Sequence, residues 1–155
     1  MPQLSLSRRS RGFTLLELMI TVAVIAVIAS VGYPMYTSQA TRAKRAEGRN
    51  ALMDAAAREE RKYSDTNKYT DVIGSGGLGF SDPSQCSTAG TQTETCKYTL
   101  TAAVSNNNQQ FTLTATPTFA DTDCGALVIN QAGQKGIKGV TPPPAGTDIS
   151  TCWGK

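Results

Sequence analysis

The sequence predicts an α+β fold in which one long N-terminal helix is followed by an antiparallel sheet of about four strands. Residues 13–33 are almost all apolar, and residues 35–63 are rich in Ala, Arg, Glu and Lys, without proline and with Gly48 as the one glycine. Beyond residue 96, short segments alternate apolar and polar residues. A helical half followed by a run of strands is typical of α+β proteins.

The apolar run contains one acidic residue, Glu17. About 21 helical residues reach about 30 Å, which is the thickness of the hydrocarbon core of a bilayer. A carboxylate inside such a segment costs at least about 2.5 kcal/mol unless it is paired or protonated. Glu17 is therefore a candidate functional residue whose partner has to be found.

The formal charge of +3 comes from the first residues of the chain: Arg8, Arg9 and Arg11. From Phe13 onward, Lys and Arg balance the 12 Asp and Glu residues. The excess fits the positive-inside rule for a membrane segment better than a surface that binds nucleic acid. A basic patch in the second half of the helix is interpreted as a solvated face, because acidic residues follow its members, Arg42, Lys44, Arg45 and Arg49.

The chain has four widely spaced cysteines, Cys86, Cys96, Cys124 and Cys152, and no histidine. An even number without a Cys-x-x-Cys pair predicts two disulfides and an oxidising compartment rather than a zinc site. The lack of histidine excludes the usual catalytic triad and the common zinc hydrolase sites. The sequence therefore predicts no enzyme, no metal site and no cofactor.

The two halves of the helix meet near Gly32 and Pro34. Proline disfavours helical geometry in the residue before it, so we expect a kink or a locally melted turn at this point. The second half is predicted to lay an apolar stripe on the sheet, formed by Leu52, Ala56 and Tyr63 with Met53 and Glu60 nearby.

Alternation predicts strands at residues 97–104 and 109–116, joined by a turn at Ser105-Asn106-Asn107-Asn108. A third strand is expected at 126–130 and a short fourth at 135–138. Residues 63–83 have the composition of a loop, and the three consecutive prolines of residues 141–146 predict an irregular surface segment.

The motif Gly12-Phe13-Thr14-Leu15-Leu16-Glu17 and the apolar span after it resemble the prepilin motif of the type IV pilin family. The resemblance implies that a prepilin peptidase cuts between Gly12 and Phe13, that Phe13 is then N-methylated, and that the helix packs into a filament. It also implies that Glu17 meets the methylated amine of a neighbouring subunit. The expected parts are a cleaved leader (1–12), a transmembrane and filament-core helix (13–34) and a globular domain (35–155).

Within this family, we prefer the disulfides Cys86–Cys96 and Cys124–Cys152 among the three possible connectivities. Each bridge would pin an irregular segment to the sheet. The second resembles the carboxy-terminal disulfide loop of type IV pilins, and its 28-residue closure predicts about 3.5 kcal/mol of stabilisation.

Short segments throughout the mature chain resemble PilE-like minor pilins and ComP-type DNA-uptake pilins: residues 58–64, Asn67-Lys68-Tyr69-Thr70, Tyr98-Thr99-Leu100, residues 111–115, residues 124–127 and Cys152-Trp153. The resemblance implies a minor subunit of type IV pili, acting in pilus assembly, twitching motility and adhesion. Its partners would be other pilins, the prepilin peptidase and inner-membrane lipid. The N-terminus would be cytoplasmic before assembly, and the subunit would then enter an extracellular filament.

Two alternatives remain open. One is a DNA-binding pilin that acts as a receptor in natural transformation, and the other is a type II secretion pseudopilin. DNA is the less favoured partner because the mature chain is charge-balanced and its lysines are scattered, at Lys97, Lys135, Lys138 and Lys155. Tyr98 and Trp153 could stack on bases, but buried core positions are the favoured interpretation.

Overall fold

The computed structural model describes residues 13–80, 93–143 and 147–154. A long helix α1 (Leu15–Thr66) is followed by four strands and a short helix α2 (Ser150–Trp153). The strands are β1 (Tyr98–Ser105), β2 (Gln110–Pro117), β3 (Leu127–Asn130) and β4 (Lys135–Gly136). The predicted α+β class is confirmed, with one helix followed by one antiparallel sheet.

Helix α1 runs without interruption from Leu15 to Thr66. Gly32 and Pro34 both lie within it, so the predicted locally melted turn is absent, while the kink stays a prediction. The helix ends three residues beyond the predicted Tyr63. Asn67 then adopts a left-handed conformation (φ 55°), and its N–H donates to Tyr63 O at 2.7 Å, which is a common way to terminate a helix.

The chain forms two compact units, Met1–Gln39 and Ala40–Lys155. In the first, the large apolar side chains of the helix are exposed. The second contains the whole described hydrophobic core and the Cys124–Cys152 disulfide. The Ala40–Lys155 unit therefore has what it needs to fold as a separate domain.

Within that unit, the buried face of α1 repeats every three to four residues, at Arg45, Gly48, Leu52, Ala55 and Glu59. The predicted stripe is confirmed at Leu52, which is buried, and at Ala56 and Tyr63, which are partly buried against the core, but not at its neighbours Met53 and Glu60. Met53 is 51% exposed, and Glu59 rather than Glu60 is buried. Arg45 and Glu59 can be buried on this face because each forms a hydrogen bond with another part of the unit. Hydropathy alone does not reveal such bonds.

The four strands form one sheet in the order β1-β2-β3-β4, and every neighbouring pair is antiparallel. The predicted hairpin is confirmed within one residue, with Ser105 opposite Gln110 across the Asn-rich turn. Strand β4 is shorter than expected because the chain turns back after Gly136, and Ile137 pairs with Val140. Residues 141–143 are irregular, as predicted, and 144–146 lie outside the described residues.

The core lies between α1 and the sheet. Tyr98, Leu113, Leu127 and Phe111 are almost fully buried there. Gly48 allows the Tyr98 ring to approach the helix, because a Cβ at this position would lie 2.9 Å from three ring carbons. The absence of a side chain at Gly48 therefore sets how closely β1 and α1 pack.

Candidate functional site

The motif at the start of α1 forms an N-terminal cap. Thr14 Oγ1 accepts a hydrogen bond from the Glu17 N–H at 3.2 Å, and Leu18 N–H donates to Thr14 O at 3.2 Å. A Thr followed by Glu three residues later is the spacing of a capping box. Besides the processing and assembly roles that the motif predicts, Thr14 and Glu17 therefore have a local role in fixing the start of the helix, two residues after Phe13. Gly12, the other half of the predicted cleavage site, lies outside the described residues.

Glu17 stands among exposed apolar side chains such as Leu15, Leu16 and Leu18. In the part of the chain that the structure describes, no cation lies within 4 Å of it. Helix α1 is also long and apolar enough to cross a membrane by length and composition. Inside a bilayer, Glu17 would need either protonation or a cation that the described residues do not supply.

A buried ion pair anchors α1 to the connection between β2 and β3. Arg45 Nε donates to Asp121 Oδ2 at 2.8 Å and Nη2 donates to Oδ1 at 2.6 Å, while Nη2 also lies 3.3 Å from Asp123 Oδ2. The Asp121 side chain is fully buried, and its Oδ1 also accepts the Cys124 N–H at 3.1 Å. The hydrogen bond from Arg45 lowers the pKa of Asp121. One member of the predicted basic patch is thus a structural anchor and not part of a solvated face.

The segment after α1 is held by three charged helix residues. Arg58 donates to Leu78 O at 3.0 Å and lies over the Phe80 ring, and Lys62 donates to Gly76 O at 3.2 Å. Glu59 Oε2 accepts the Thr70 N–H at 3.1 Å, but Oε1 has no partner within the described ranges. Burial raises the pKa of the Glu59 carboxyl, opposed by that hydrogen bond.

The turn between β1 and β2 is fixed in an uncommon geometry. Asn106, Asn107 and Asn108 all have positive φ values, between 50° and 63°, which Asn tolerates better than most residues. Asn108 exchanges hydrogen bonds with Tyr69 through its backbone oxygen and its side-chain amide, at 2.9 and 3.0 Å. The tip is thereby tied to the segment that follows α1.

The disulfide Cys124–Cys152 is confirmed, with Cα atoms 5.6 Å apart. It joins Cys124, whose N–H donates to Asp121, to helix α2. Cys96 is also disulfide-bonded. Its expected partner, Cys86, lies outside the described residues.

The two aromatic residues considered for base stacking are both core residues. Tyr98 is fully buried and Trp153 is 7% exposed. Trp153 Nε1 donates to Gly136 O at 2.8 Å, and Lys135 Nζ lies 5.4 Å from the Trp153 ring centroid. Neither ring offers a free face of the size that a base requires.

Three lysines from distant parts of the sequence contact the connection between β2 and β3, one through its side chain and two through their backbone. Lys44 Nζ lies 4.9 Å from the centre of the Phe119 ring, and Lys97 O accepts the Thr118 N–H at 2.9 Å. Lys138 N–H donates to Cys124 O at 3.0 Å. We call Lys44, Lys97 and Lys138 the lysine group. Within the described ranges, no carboxylate lies within 4 Å of any of their ammonium groups.

The lysine group could not be found by scanning for clustered charge, because its members come from α1, from the residue before β1 and from the segment after β4. Nearby carboxylates are meanwhile engaged. Asp121 and Asp123 bind Arg45, and Glu47 binds the hydroxyl and N–H of Thr95. Among the described residues, these carboxylates therefore form no ion pair with the lysine group.

A capped apolar helix that continues onto an antiparallel sheet closed by a C-terminal disulfide is the architecture of a type IV pilin. Two family matches agree with that class. The prokaryotic N-terminal methylation motif matches residues 7–33. The chain belongs to the family described as type IV minor pilin ComP, DNA uptake sequence receptor, whose model matches residues 34–128.

Individual relatives are pilins as well. The chain is 35% identical over 72 residues to the type IV major pilin protein PilA of Myxococcus xanthus, a match covering 46% of this chain and 32% of that protein. The chain thus matches about a third of the length of this curated relative. A solved type IV pilin from Shewanella oneidensis is 22% identical, with a TM-score of 0.39, over 67% of this chain and 94% of that one.

Proposed function

We propose that this type IV pilin is a minor pilus subunit that binds DNA for uptake. The observation that carries the proposal is the family match over residues 34–128, whose description is a DNA uptake sequence receptor. This match changes the ranking of the two functions. The balanced charge of the mature chain had favoured pilus assembly, twitching and adhesion over DNA binding. The ion pair between Arg45 and the buried Asp121 supports the reversal, because that carboxylate is not available to pair with a neighbouring lysine.

The lysine group is the proposed phosphate-binding surface. Lys97 and Lys138 stand at the same end of the sheet, since β1 begins there and Lys138 is bonded to Cys124, just before β3. Lys44 reaches that end from α1 through Phe119. The connection between them is held by Arg45 and by the disulfide of Cys124, so the backbone positions from which these lysines extend are fixed.

The test is fluorescence anisotropy of labelled duplex DNA with the purified Ala40–Lys155 unit over a range of salt concentrations. Three phosphate contacts predict a slope of log K against log[salt] of about −2.7. The variant Lys44→Ala/Lys97→Ala/Lys138→Ala should lose most of that slope and bind at least about tenfold more weakly. Selection from a random-sequence pool then measures sequence preference.

The matched control is Arg61→Ala/Lys68→Ala, which removes two exposed cations from the end of α1 and the residues after it. Its DNA affinity should fall less than about threefold. Equal losses in both variants would mean diffuse attraction and not a site. Saturable binding that survives removal of the lysine group would place the DNA site elsewhere in the subunit.

We propose that the N-terminal segment works as the prepilin motif implies. A peptidase would cut between Gly12 and Phe13, and the new Phe13 amine would be methylated. Residues 13–34 would hold the subunit in the inner membrane, N-terminus inside, until it enters a filament. The methylation-motif match and the Thr14 cap beside Phe13 support this sequence of events.

Glu17 is the proposed partner of the Phe13 amine of a neighbouring subunit. Such a pair offsets a desolvation penalty that neither charge could bear alone. Mass spectrometry of the mature N-terminus tests cleavage and methylation. Glu17→Ala should insert in the membrane but be depleted at least about tenfold from sheared filaments, whereas Thr21→Ala should not. Normal incorporation of Glu17→Ala would contradict the pairing.

A deletion strain distinguishes the receptor role from a general assembly role. Loss of the subunit should abolish DNA uptake and leave piliation and twitching close to normal. A strain that loses its pili would instead support a role in assembly.

A further inference from the structure

Asp123 is an exposed carboxylate beside a buried ion pair. Its side chain is 80% exposed, whereas those of Asp121 and Arg45 are 0% and 9% exposed. Arg45 donates to Asp121 at 2.8 and 2.6 Å, and its contact with Asp123 is longer, at 3.3 Å. Solvent-exposed ion pairs contribute little to stability. The fold therefore depends on Asp121 far more than on Asp123.

The three side chains together leave a negative charge that is not compensated. Asp121 already balances the single positive charge of Arg45, so the remaining charge belongs to Asp123, the member that faces solvent. Within the described ranges, Arg45 is the one cation within 4 Å of the Asp123 carboxylate. An exposed hydrogen-bond acceptor thus lies on the connection between β2 and β3.

The lysine group contacts this same connection. Lys138 N–H donates to the backbone oxygen of Cys124, the residue after Asp123, and Lys44 Nζ lies over the ring of Phe119, four residues before it. A carboxylate on a surface that binds phosphates repels the backbone of every DNA sequence alike. It can improve recognition only by distinguishing one base from another.

The chemistry of a carboxylate restricts the bases that it can contact. An ionised aspartate accepts hydrogen bonds and donates none. In the major groove, cytosine presents a donor, its N4 amine, whereas guanine presents two acceptors and thymine presents an acceptor and a methyl group. Adenine presents its amine next to an acceptor. A carboxylate therefore favours cytosine and opposes guanine and thymine, and both effects add to specificity.

We propose that Asp123 is a specificity-determining residue that accepts a hydrogen bond from the N4 amine of a cytosine while the lysine group binds phosphates. This inference rests on the proposed function. The lysine group supplies affinity that is independent of sequence, and Asp123 selects the base. The two kinds of residue therefore differ in the sign of their effect. Loss of a lysine weakens binding to all DNA, whereas loss of the carboxylate strengthens binding to random DNA and weakens discrimination.

The test is selection from a random duplex pool by the Ala40–Lys155 unit, repeated with Asp123→Ala and Asp123→Asn. The unaltered unit should enrich a C·G pair at one position, and replacing that pair should weaken binding about tenfold by fluorescence anisotropy. Asp123→Ala should reduce this difference to less than about twofold and should bind random duplex about two- to threefold more tightly at low salt. Asp123→Asn should shift the preferred base at that position to adenine, because a side-chain amide pairs with adenine N6 and N7.

Asp71→Asn is the matched control, because Asp71 is an exposed carboxylate in the segment after α1. It should leave the preferred base unchanged, and circular dichroism checks that each variant is folded. If the unaltered unit binds DNA without a base preference, or if both Asp123 variants keep the same preferred base, the inference is overturned while DNA binding through the lysine group stands. A unit that binds no DNA overturns the proposed function together with this inference.

Discussion

The two compact units use the same helix in opposite ways. Between Leu15 and Tyr36 the large apolar side chains range from 53% exposed at Val24 to 77% at Leu15. Beyond Ala40, Leu52 and Ala55 are each 1% exposed. The first stretch leaves its apolar surface to be covered by lipid or by other subunits, whereas the second satisfies its buried face within the chain.

Two glutamates on α1 show what this difference means for polar groups. Glu17 stands in the exposed apolar stretch, and no described residue offers it a cation. Glu59 is fully buried, and one of its oxygens accepts the Thr70 N–H. The partner proposed for Glu17 therefore depends on assembly, whereas the Glu59 contact forms on folding. Variants of the second region should change stability and leave membrane insertion unaffected.

The largest expected effect is at Arg45. Arg45→Ala leaves the buried Asp121 carboxylate without its cation, which should lower the free energy of unfolding of the Ala40–Lys155 unit by about 3–5 kcal/mol. Urea denaturation measures the change. Arg42→Ala is the control, because Arg42 is exposed on the same helix, and it should stay within about 0.5 kcal/mol.

The pH dependence of the same variant provides a second check. Arg45 lowers the pKa of Asp121, so the pair stabilises the folded state at neutral pH, and that contribution is lost as the pH falls below the ordinary carboxyl range toward the folded pKa. Arg45→Ala should therefore lose less stability on acidification than the unaltered unit. If the free energy of unfolding fell equally with pH in the variant and in the unaltered unit, the stabilising role of the Arg45–Asp121 pair would be contradicted.

The disulfide is expected to rank next. Replacing Cys124 and Cys152 together by alanine opens a loop of sequence separation 28, which should cost about 3.5 kcal/mol. Thermal denaturation of the Ala40–Lys155 unit measures it, with Thr151→Ala as the control beside the bridge. A small effect would mean that Arg45 and the Trp153 hydrogen bond hold this region without the covalent link.

Those features of the fold that are encoded locally could be predicted from the sequence. The alternation of Tyr98, Leu100 and Ala102 against threonines gave the hairpin within one residue, and the Gly-Phe-Thr-Leu-Leu-Glu motif gave the class of protein. The buried face of α1 could not be placed in the same way. Arg45 and Glu59 are buried because their partners, Asp121 and Thr70, lie 76 and 11 residues further along the chain.

The lysine group shows the same limit for the candidate site. Lys44, Lys97 and Lys138 are far apart in sequence, and only the fold shows that each of them contacts the connection between β2 and β3. Counting charges also cannot show which acids are already engaged. Asp121 cancels Arg45 and not a neighbouring lysine, which composition cannot reveal.

A smaller effect is expected where α1 approaches β1. The Cβ of Gly48→Ala would lie 2.9 Å from the Tyr98 ring, so the ring or the helix has to shift. Overpacking should exceed the gain in helix propensity and lower the free energy of unfolding by about 1–2 kcal/mol. Asn50→Ala, on the exposed side of the same turn, should be within about 0.5 kcal/mol of the unaltered unit. A stabilised Gly48→Ala would mean that the helix and β1 are less tightly packed than the distance indicates.

The smallest effect, of opposite sign, is expected at Glu59. Burial raises its pKa, with Glu60 and Asp71 acting in the same direction and Lys62 against them. Protonation of Glu59 therefore favours the folded state, and this contribution is lost as the pH rises from the unfolded pKa through the folded one. Glu59→Gln keeps an acceptor for the Thr70 N–H but removes the charge. It should be more stable than the unaltered unit by up to about 1 kcal/mol at neutral pH and should lose that advantage in acid.

Urea denaturation across the pH range measures this change in relative stability. Asp65→Asn, an exposed substitution nearby, is the control and should show no such change. A Glu59→Gln variant that is less stable at every pH would mean that the ionised carboxylate is needed to hold Thr70, and that the buried charge is better compensated than its unpartnered oxygen indicates.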